Sequence, residues 1–289
     1  MSYRGGHAAH LDRSCPTNPL RTLETHMTWT MLDHPGWDHT TTPLRAMRTP
    51  TGTWLITHPD TVTPLNSDGA APTLDTYDPT TLHDAPLPAG LRTALDRLGP
   101  VRRWRNSDLW EALATAIIRQ VIRAGQARKM HHAFRAAAGD RVGDTALIPT
   151  PERVLALPDE EFTALGMAFK RRPLRAAASA YLTHHVEWAE LAPEVLVKAV
   201  QAVPRIGPWT AGAAVADYSG DYNLYPYADL AVRTWAALAD PTTSWPADEP
   251  AFAARWRDLA GPHLSTLTVL TLAWGDHHAR TDQGSTTHH

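Results

Sequence analysis

The sequence predicts a mainly α-helical protein, α+β overall, with a small β-rich subdomain ahead of a larger helical one. Three observations predict it. Between residues 28 and 66, the runs Thr28-Trp29-Thr30-Met31-Leu32, Leu44-Arg45-Ala46-Met47 and Thr53-Trp54-Leu55-Ile56-Thr57 read as strands. From Pro88 onward, apolar residues recur at intervals of three and four, the period of helices with one buried face. Over residues 196–215, two helical runs flank a tight turn that contains Gly207 and Pro208.

In chain order, residues 1–25 are polar and broken by Gly5-Gly6, Pro16 and Pro19, and read as a loose tail. His7 and His10 in that tail have helical spacing but no accompanying metal ligands. Residues 26–88 hold the β-rich subdomain, with a Thr51-Gly52 turn, and end in a linker at 67–88 dense in Pro, Asp, Thr and Gly. The helical domain, 89–280, opens with a helix at 91–98 that Gly99-Pro100 stops. Asn106-Ser107-Asp108 caps the next, with Leu109, Leu113, Ala116, Ile117 and Val121 on its core face. Helices follow at 126–138, from Pro151, from Pro158, and at 170–184; then come the hairpin pair, a helix at 229–239 and a last one at 263–274. Residues 281–289 read as a disordered tail.

Composition sets the class. A chain of 289 residues, 43% hydrophobic and 20% charged, can bury a substantial core. One cysteine, Cys15, excludes an intramolecular disulfide and a four-cysteine iron–sulfur cluster. The absence of a long apolar run and of a signal-peptide core leads us to expect a cytoplasmic protein with no membrane partner. The net charge of −3 is not the usual footprint of a nucleic-acid binder. Yet residues 101–135 gather Arg102, Arg103, Arg105, Arg119, Arg123, Arg128, Lys129 and Arg135 against Asp108 and Glu111. Such a face either tracks a phosphate backbone or is simply a solvated helix surface.

The turn itself reads Val203-Pro204-Arg205-Ile206-Gly207-Pro208-Trp209-Thr210-Ala211. Proline suits the first position of the second helix, and the unpaired N–H groups there suit a phosphate. This segment resembles the helix-hairpin-helix of the DNA glycosylase superfamily, whose hairpin usually reads Leu-Pro-Gly-Ile/Val-Gly. Tyr225-Pro226-Tyr227-Ala228-Asp229-Leu230-Ala231-Val232-Arg233 resembles the segment that carries the family's catalytic aspartate. Ala116-Ile117-Ile118-Arg119-Gln120-Val121 and Leu165-Gly166-Met167-Ala168-Phe169-Lys170-Arg171 add to the likeness, which is greatest to the bacterial 3-methyladenine DNA glycosylase II branch. The matches keep the family's order over residues 105–278.

The resemblance implies the helix-hairpin-helix glycosylase fold, a monomer acting on double-stranded DNA, and no cofactor. It places Asp229 as the catalytic carboxylate, which stabilises positive charge on the sugar and orients or deprotonates the attacking water. As a residue before an apolar helix Asp229 is equally a plain N-cap, and the two roles can coexist. Relatives that also cut the strand carry a lysine just after the hairpin; here Trp209 stands there and no lysine follows Lys198. The likeness therefore implies a monofunctional enzyme without lyase activity.

Trp209 and Trp274 match base-pocket positions, although Trp209 can instead pack the two hairpin helices together. The implied DNA contacts are Arg205, Ile206, Gly207, Thr210, Arg119, Gln120, Val121 and Arg123. Val121 (or Ile122) is either the wedge that fills the flipped base's place or a core residue. The N–H groups of Ile206, Gly207 and Trp209 are expected to hold a phosphate, in relatives often beside a monovalent cation; no protein-ligated metal is expected. Two residues depart from the pattern, Arg205 for the first hairpin glycine and Arg119 for a glycine before Gln120. The expected reaction is excision of alkylated purines such as 3-methyladenine, whose positive charge suits an aromatic pocket. The alternatives are bulky or glucosylated cytosines of bacteriophage DNA, excised as antiviral defence, and a DNA-binding module without activity. The cytosine version needs a donor to the departing base.

Overall fold

A computed structural model describes residues 28–39 and 41–285, with side chains through 279. The expected tail at 1–25, with His7, His10 and Cys15, and residues 286–289 of the tail expected at 281–289 lie outside the described residues.

The β-rich part is two small sheets. β1 (Trp29–Thr30), β2 (Leu44–Thr49), β3 (Gly52–Thr57), β4 (Thr61–Pro64) and β5 (Leu74–Tyr77) precede the first helix, α1 (Ala89–Leu98), and β6 (Val101–Trp104) follows it. β2, β3 and β4 form an antiparallel meander, with Met47 opposite Trp54. β6 lies between β1, parallel to it, and β5, antiparallel to it. The region at 67–88, read as linker, thus contributes a strand and a turn of 3-10 helix at Pro79–Leu82. β6 was hidden because Arg102 and Arg103 interrupt the apolar alternation. Leu32, Trp37, Met47, Trp54, Ile56 and Trp104 form the core of this part.

The helical part comprises α2 (Leu109–Arg119), α3 (Ala124–Ala138), a two-stranded ribbon of β7 (Arg141–Val142) and β8 (Thr145–Ala146), then α4 (Pro151–Ala156), α5 (Asp159–Ala164), α6 (Arg171–Ala189), α7 (Pro193–Gln201), α8 (Pro208–Ser219), α9 (Leu230–Ala239), α10 (Glu249–Ala260) and α11 (Leu264–Ser285). α2 is the axis. Asp108 caps it by accepting from the Trp110 N–H at 2.9 Å, and every residue from Leu109 to Ile118 is buried. Burying one Leu or Ile side chain is worth about 1.5–3 kcal/mol, so an all-buried helix fixes the middle of the domain. Its neighbours are α8, α6 and α3. α8 presents Ala211, Ala213, Ala214, Val215 and Ala216, all buried, and small side chains let two helix backbones approach.

Three expectations are corrected. α10 was unread, although Asp248 caps it at the Ala251 N–H, 2.9 Å away. α11 runs to Ser285 where a helix ending at 274 and a tail from 281 were expected; its mixed face of His, Asp and Gly lacks an apolar period but packs on α9, α1 and α10. Val121 is no core residue, because α2 ends at Arg119 and the chain leaves the helical period before reaching it. Buried ion pairs join the two parts: Arg45 on β2 meets Glu111 on α2 at 3.0 Å, with both side chains nearly inaccessible. No helix among the described residues is long and apolar enough to cross a membrane.

Candidate active site

The turn between α7 and α8 is tight. The N–H of Ile206 donates to the Val203 carbonyl at 3.1 Å, and that of Ala211 to the Gly207 carbonyl at 3.1 Å. The expected phosphate donor Ile206 is therefore corrected: its N–H is spent inside the turn and its side chain is buried. Gly207, Trp209 and Thr210 keep backbone N–H groups with no acceptor among the described residues, as the first turn of a helix must. Gly207 has φ −84° and open space where a Cβ would stand, so neither backbone nor neighbours demand a glycine; the space lies free beside those N–H groups. Arg205 is exposed at φ 70°, a strained conformation for a residue with a side chain, at the place where the family's hairpin usually has a glycine.

Asp229 caps α9. Its Oδ1 accepts from the Val232 N–H at 3.0 Å. Its Oδ2 accepts from the Tyr225 phenol at 2.9 Å and from the indole N–H of half-buried Trp209 at 3.3 Å. Three donors from three segments thus fix one carboxylate. Burial, with the Asp229 charge beside it, pushes the Tyr225 hydroxyl well above the usual phenol range, so it remains a donor.

Tyr225 also lines a cavity of about 990 Å³, together with Ala231 of α9. Its wall is polar. Arg103, buried on β6, donates to Asp33 at 3.2 Å, pairs with Asp217 at 2.7 Å and covers the Tyr222 ring at 5.2 Å. Burial opposes charge on Asp33, but Arg103, with Arg119 and Arg45 farther off, holds its carboxyl below the ordinary value. Arg119, at the end of α2, faces the same space. It makes no hydrogen bond and no ion pair among the described residues, and feels Tyr225, Asp33 and Asp217 only through space. Burial disfavours its charge, yet those three groups raise its pKa on balance.

The expected aromatic pocket is corrected. Trp274 lies on another side of α11, with Ala89, Gly90, Thr93 and Arg97 of α1, and stacks on His278 at 4.9 Å. The next residue, Gly275, a helical step of about 100° away, is the one that lines the cavity. A Cβ there would stand 2.3 Å from the Trp235 ring, so glycine lets that indole lie against α11 as the tryptophan of the wall.

At the mouth the chain passes from α2 to α3. The Gln120 amide donates to the Thr210 hydroxyl, tying α2 to α8, so both expected DNA contacts turn their side chains inward. Lys170, which sequence reasoning left without a role, is buried and donates to the carbonyls of Ile117 at 2.8 Å and Gln120 at 2.6 Å. Burial lowers its pKa to about 8. Beyond this anchor Val121 stands at φ 57° with its side chain completely exposed. A β-branched residue in that region is strained, and such strain concentrates at working sites. Arg123, exposed at the start of α3, follows it.

The basic face is smaller than its sequence. Arg102 pairs with Asp60, Arg103 with Asp33 and Asp217, Arg105 with Asp75, and Arg135 with Asp38. The sequence could not show this, because the carboxylates come from distant strands and loops.

No protein-family model and no curated protein matches this sequence. Solved structures do. The apo Clostridium acetobutylicum 8-oxoguanine glycosylase/lyase is 14% identical with a TM-score of 0.60, over 84% of this chain and 89% of that one. The same enzyme in complex with double-stranded DNA containing cytosine opposite 8-oxoguanine gives 13% and 0.58, over 87% and 89%. The 3-methyladenine DNA glycosylase of Archaeoglobus fulgidus gives 21% and 0.54, over 65% of this chain and 66% of that one. A likeness of shape at such identities is one of architecture: this chain has the helix-hairpin-helix DNA glycosylase fold.

Proposed function

We propose that this protein is a monofunctional DNA glycosylase that turns one base out of duplex DNA, hydrolyses its N-glycosidic bond and leaves an abasic site in an uncut strand. The observation that carries the reading is Asp229: one carboxylate, oriented by Val232, Tyr225 and Trp209, with Tyr225 also lining a cavity large enough for a base. A carboxylate fixed before the reaction stabilises the charge that develops on the sugar and costs no reorganisation. Flipping costs a few kcal/mol of unstacking, and exposed Val121 is the side chain suited to fill the gap. Phosphate contacts fall to the N–H groups of Gly207, Trp209 and Thr210, with Arg205 in the same hairpin and exposed Arg123 at the start of α3 as further cations.

One specific observation favours a large, neutral, polar base over an alkylated purine. Arg119 makes no hydrogen bond or ion pair among the described residues, and guanidinium, phenol and carboxylate groups share the wall around it with Trp235, Leu272 and small apolar residues. Directly beside Arg119 a cationic alkylpurine would meet a cation, whereas a hypermodified pyrimidine, such as a glucosylated cytosine of bacteriophage DNA, would meet hydrogen-bond donors and acceptors along the wall. On this reading the enzyme acts in antiviral defence. The test is incubation with duplexes carrying 7-methylguanine or glucosylated 5-hydroxymethylcytosine, then alkali to break abasic sites. Excision by the parent and its loss in Asp229→Asn, with DNA affinity kept, supports the reading. Binding without abasic sites on any duplex would leave a non-catalytic DNA-binding protein.

A further inference from the structure

We propose that Arg119 is a catalytic residue that stabilises the departing base, an inference that rests on the glycosylase reading above. A neutral base cannot leave as easily as an alkylated one. When its C1′–N bond breaks, the electron pair stays with the base, which departs as an anion. Water forms the new bond to C1′ and gives a proton to Asp229, and the base anion recovers a proton from solvent. Asp229 serves the sugar's side of this exchange. The base's side needs a positive group that is not already consumed.

Of the cations that line the cavity, Arg119 stands at the end of α2 and Arg103 on β6, while Arg128 and exposed Lys129 stand on α3. Arg102, Arg103, Arg105 and Arg135 are taken up by carboxylates. Arg103 reaches the cavity but spends its two terminal nitrogens on Asp33 and Asp217. Arg119 faces the cavity with no hydrogen bond or ion pair among the described residues. Its position is also set. It is the last residue of α2, whose end is gripped by Lys170 on the Ile117 and Gln120 carbonyls and by Gln120 on Thr210. Tyr225, the residue that holds Asp229, lines the same cavity and acts on Arg119 through space, so one phenol connects the cation's surroundings to the carboxylate. A guanidinium is permanently charged and donates in a plane, which suits the oxygen and nitrogen edge of a pyrimidine anion.

The experiment is single-turnover excision from duplexes carrying glucosylated 5-hydroxymethylcytosine or 7-methylguanine by the parent, Arg119→Ala and Arg119→Lys. Arg119→Ala is expected to slow cytosine release about 100-fold, the scale of losing one transition-state donor, with DNA affinity and melting temperature unchanged. Arg119→Lys should lie between the two, and free guanidinium in the buffer should restore part of the Ala variant's rate. Any release of 7-methylguanine, which departs neutral, should not fall. A parallel fall on both bases, the absence of rescue, or an Ala variant as fast as the parent would overturn the role of Arg119. A parent that releases 7-methylguanine but not the cytosine would overturn it as well. A parent that makes no abasic site anywhere would instead bring down the glycosylase reading itself.

Discussion

The indole N–H of Trp209 points at Oδ2 of Asp229 from 3.3 Å, and the Tyr225 phenol reaches the same oxygen at 2.9 Å. The residue at the position of the strand-cutting lysine is thus a hydrogen-bond donor to the carboxylate. We predict that Trp209→Phe, which keeps the ring and loses the N–H, lowers kcat about tenfold, roughly 1.4 kcal/mol of barrier, with KM little changed. A change confined to KM would mean that the indole binds the base and does not hold the carboxylate.

Strand cleavage by a Schiff base needs an amine at C1′. Trp209 has none to give, and the Nζ of Lys170 is committed to two backbone carbonyls. Its lowered pKa, about 8, makes Lys170 the lysine to watch. Borohydride is expected to trap no enzyme–DNA adduct. An adduct that disappears in Lys170→Met would overturn the monofunctional reading.

Arg205 holds a left-handed φ of 70° that costs a side-chain-bearing residue about 1–2 kcal/mol. Arg205→Gly should therefore raise the melting temperature. It should also weaken binding to undamaged duplex and reduce its salt dependence by about one phosphate contact. If stability rises and binding and salt slope stay as they were, the arginine touches no phosphate.

Asp108 titrates against the fold. Burial first, and Glu111 second, raise its pKa from 3.8 to about 6, against the pull of Arg48. A raised carboxyl gives the folded state its advantage below pH 4 and loses it as pH climbs through 6. At neutral pH the ionised group costs the fold up to about 3 kcal/mol by the size of that shift. Asp108→Asn keeps the cap on α2 and removes the charge. It should stabilise the protein by about 1–3 kcal/mol at pH 7 and flatten urea stability between pH 4 and 6. A variant less stable than the parent at pH 7 would mean that the pair with Arg48 outweighs desolvation.

The sequence by itself determined the helical order from α1 to α9, the hairpin and the place of Asp229 at the start of α9. Those features are local: a cap, a proline at a helix start and an apolar period need only a few neighbouring residues. Tertiary structure decided the site's chemistry. Whether Arg103 is a surface charge or the core of a buried trio depends on Asp33 and Asp217, 70 and 114 positions away in sequence. Whether Trp274 or Gly275 meets the cavity depends on one helical step in α11, whose sequence has no clear period to set its phase. Pairing across such distances leaves no spacing to read. Only the packing of α2 against α8 and of α9 against α11 gathers Arg119, Tyr225 and Trp235 around one space, where Arg119 makes no ion pair among the described residues.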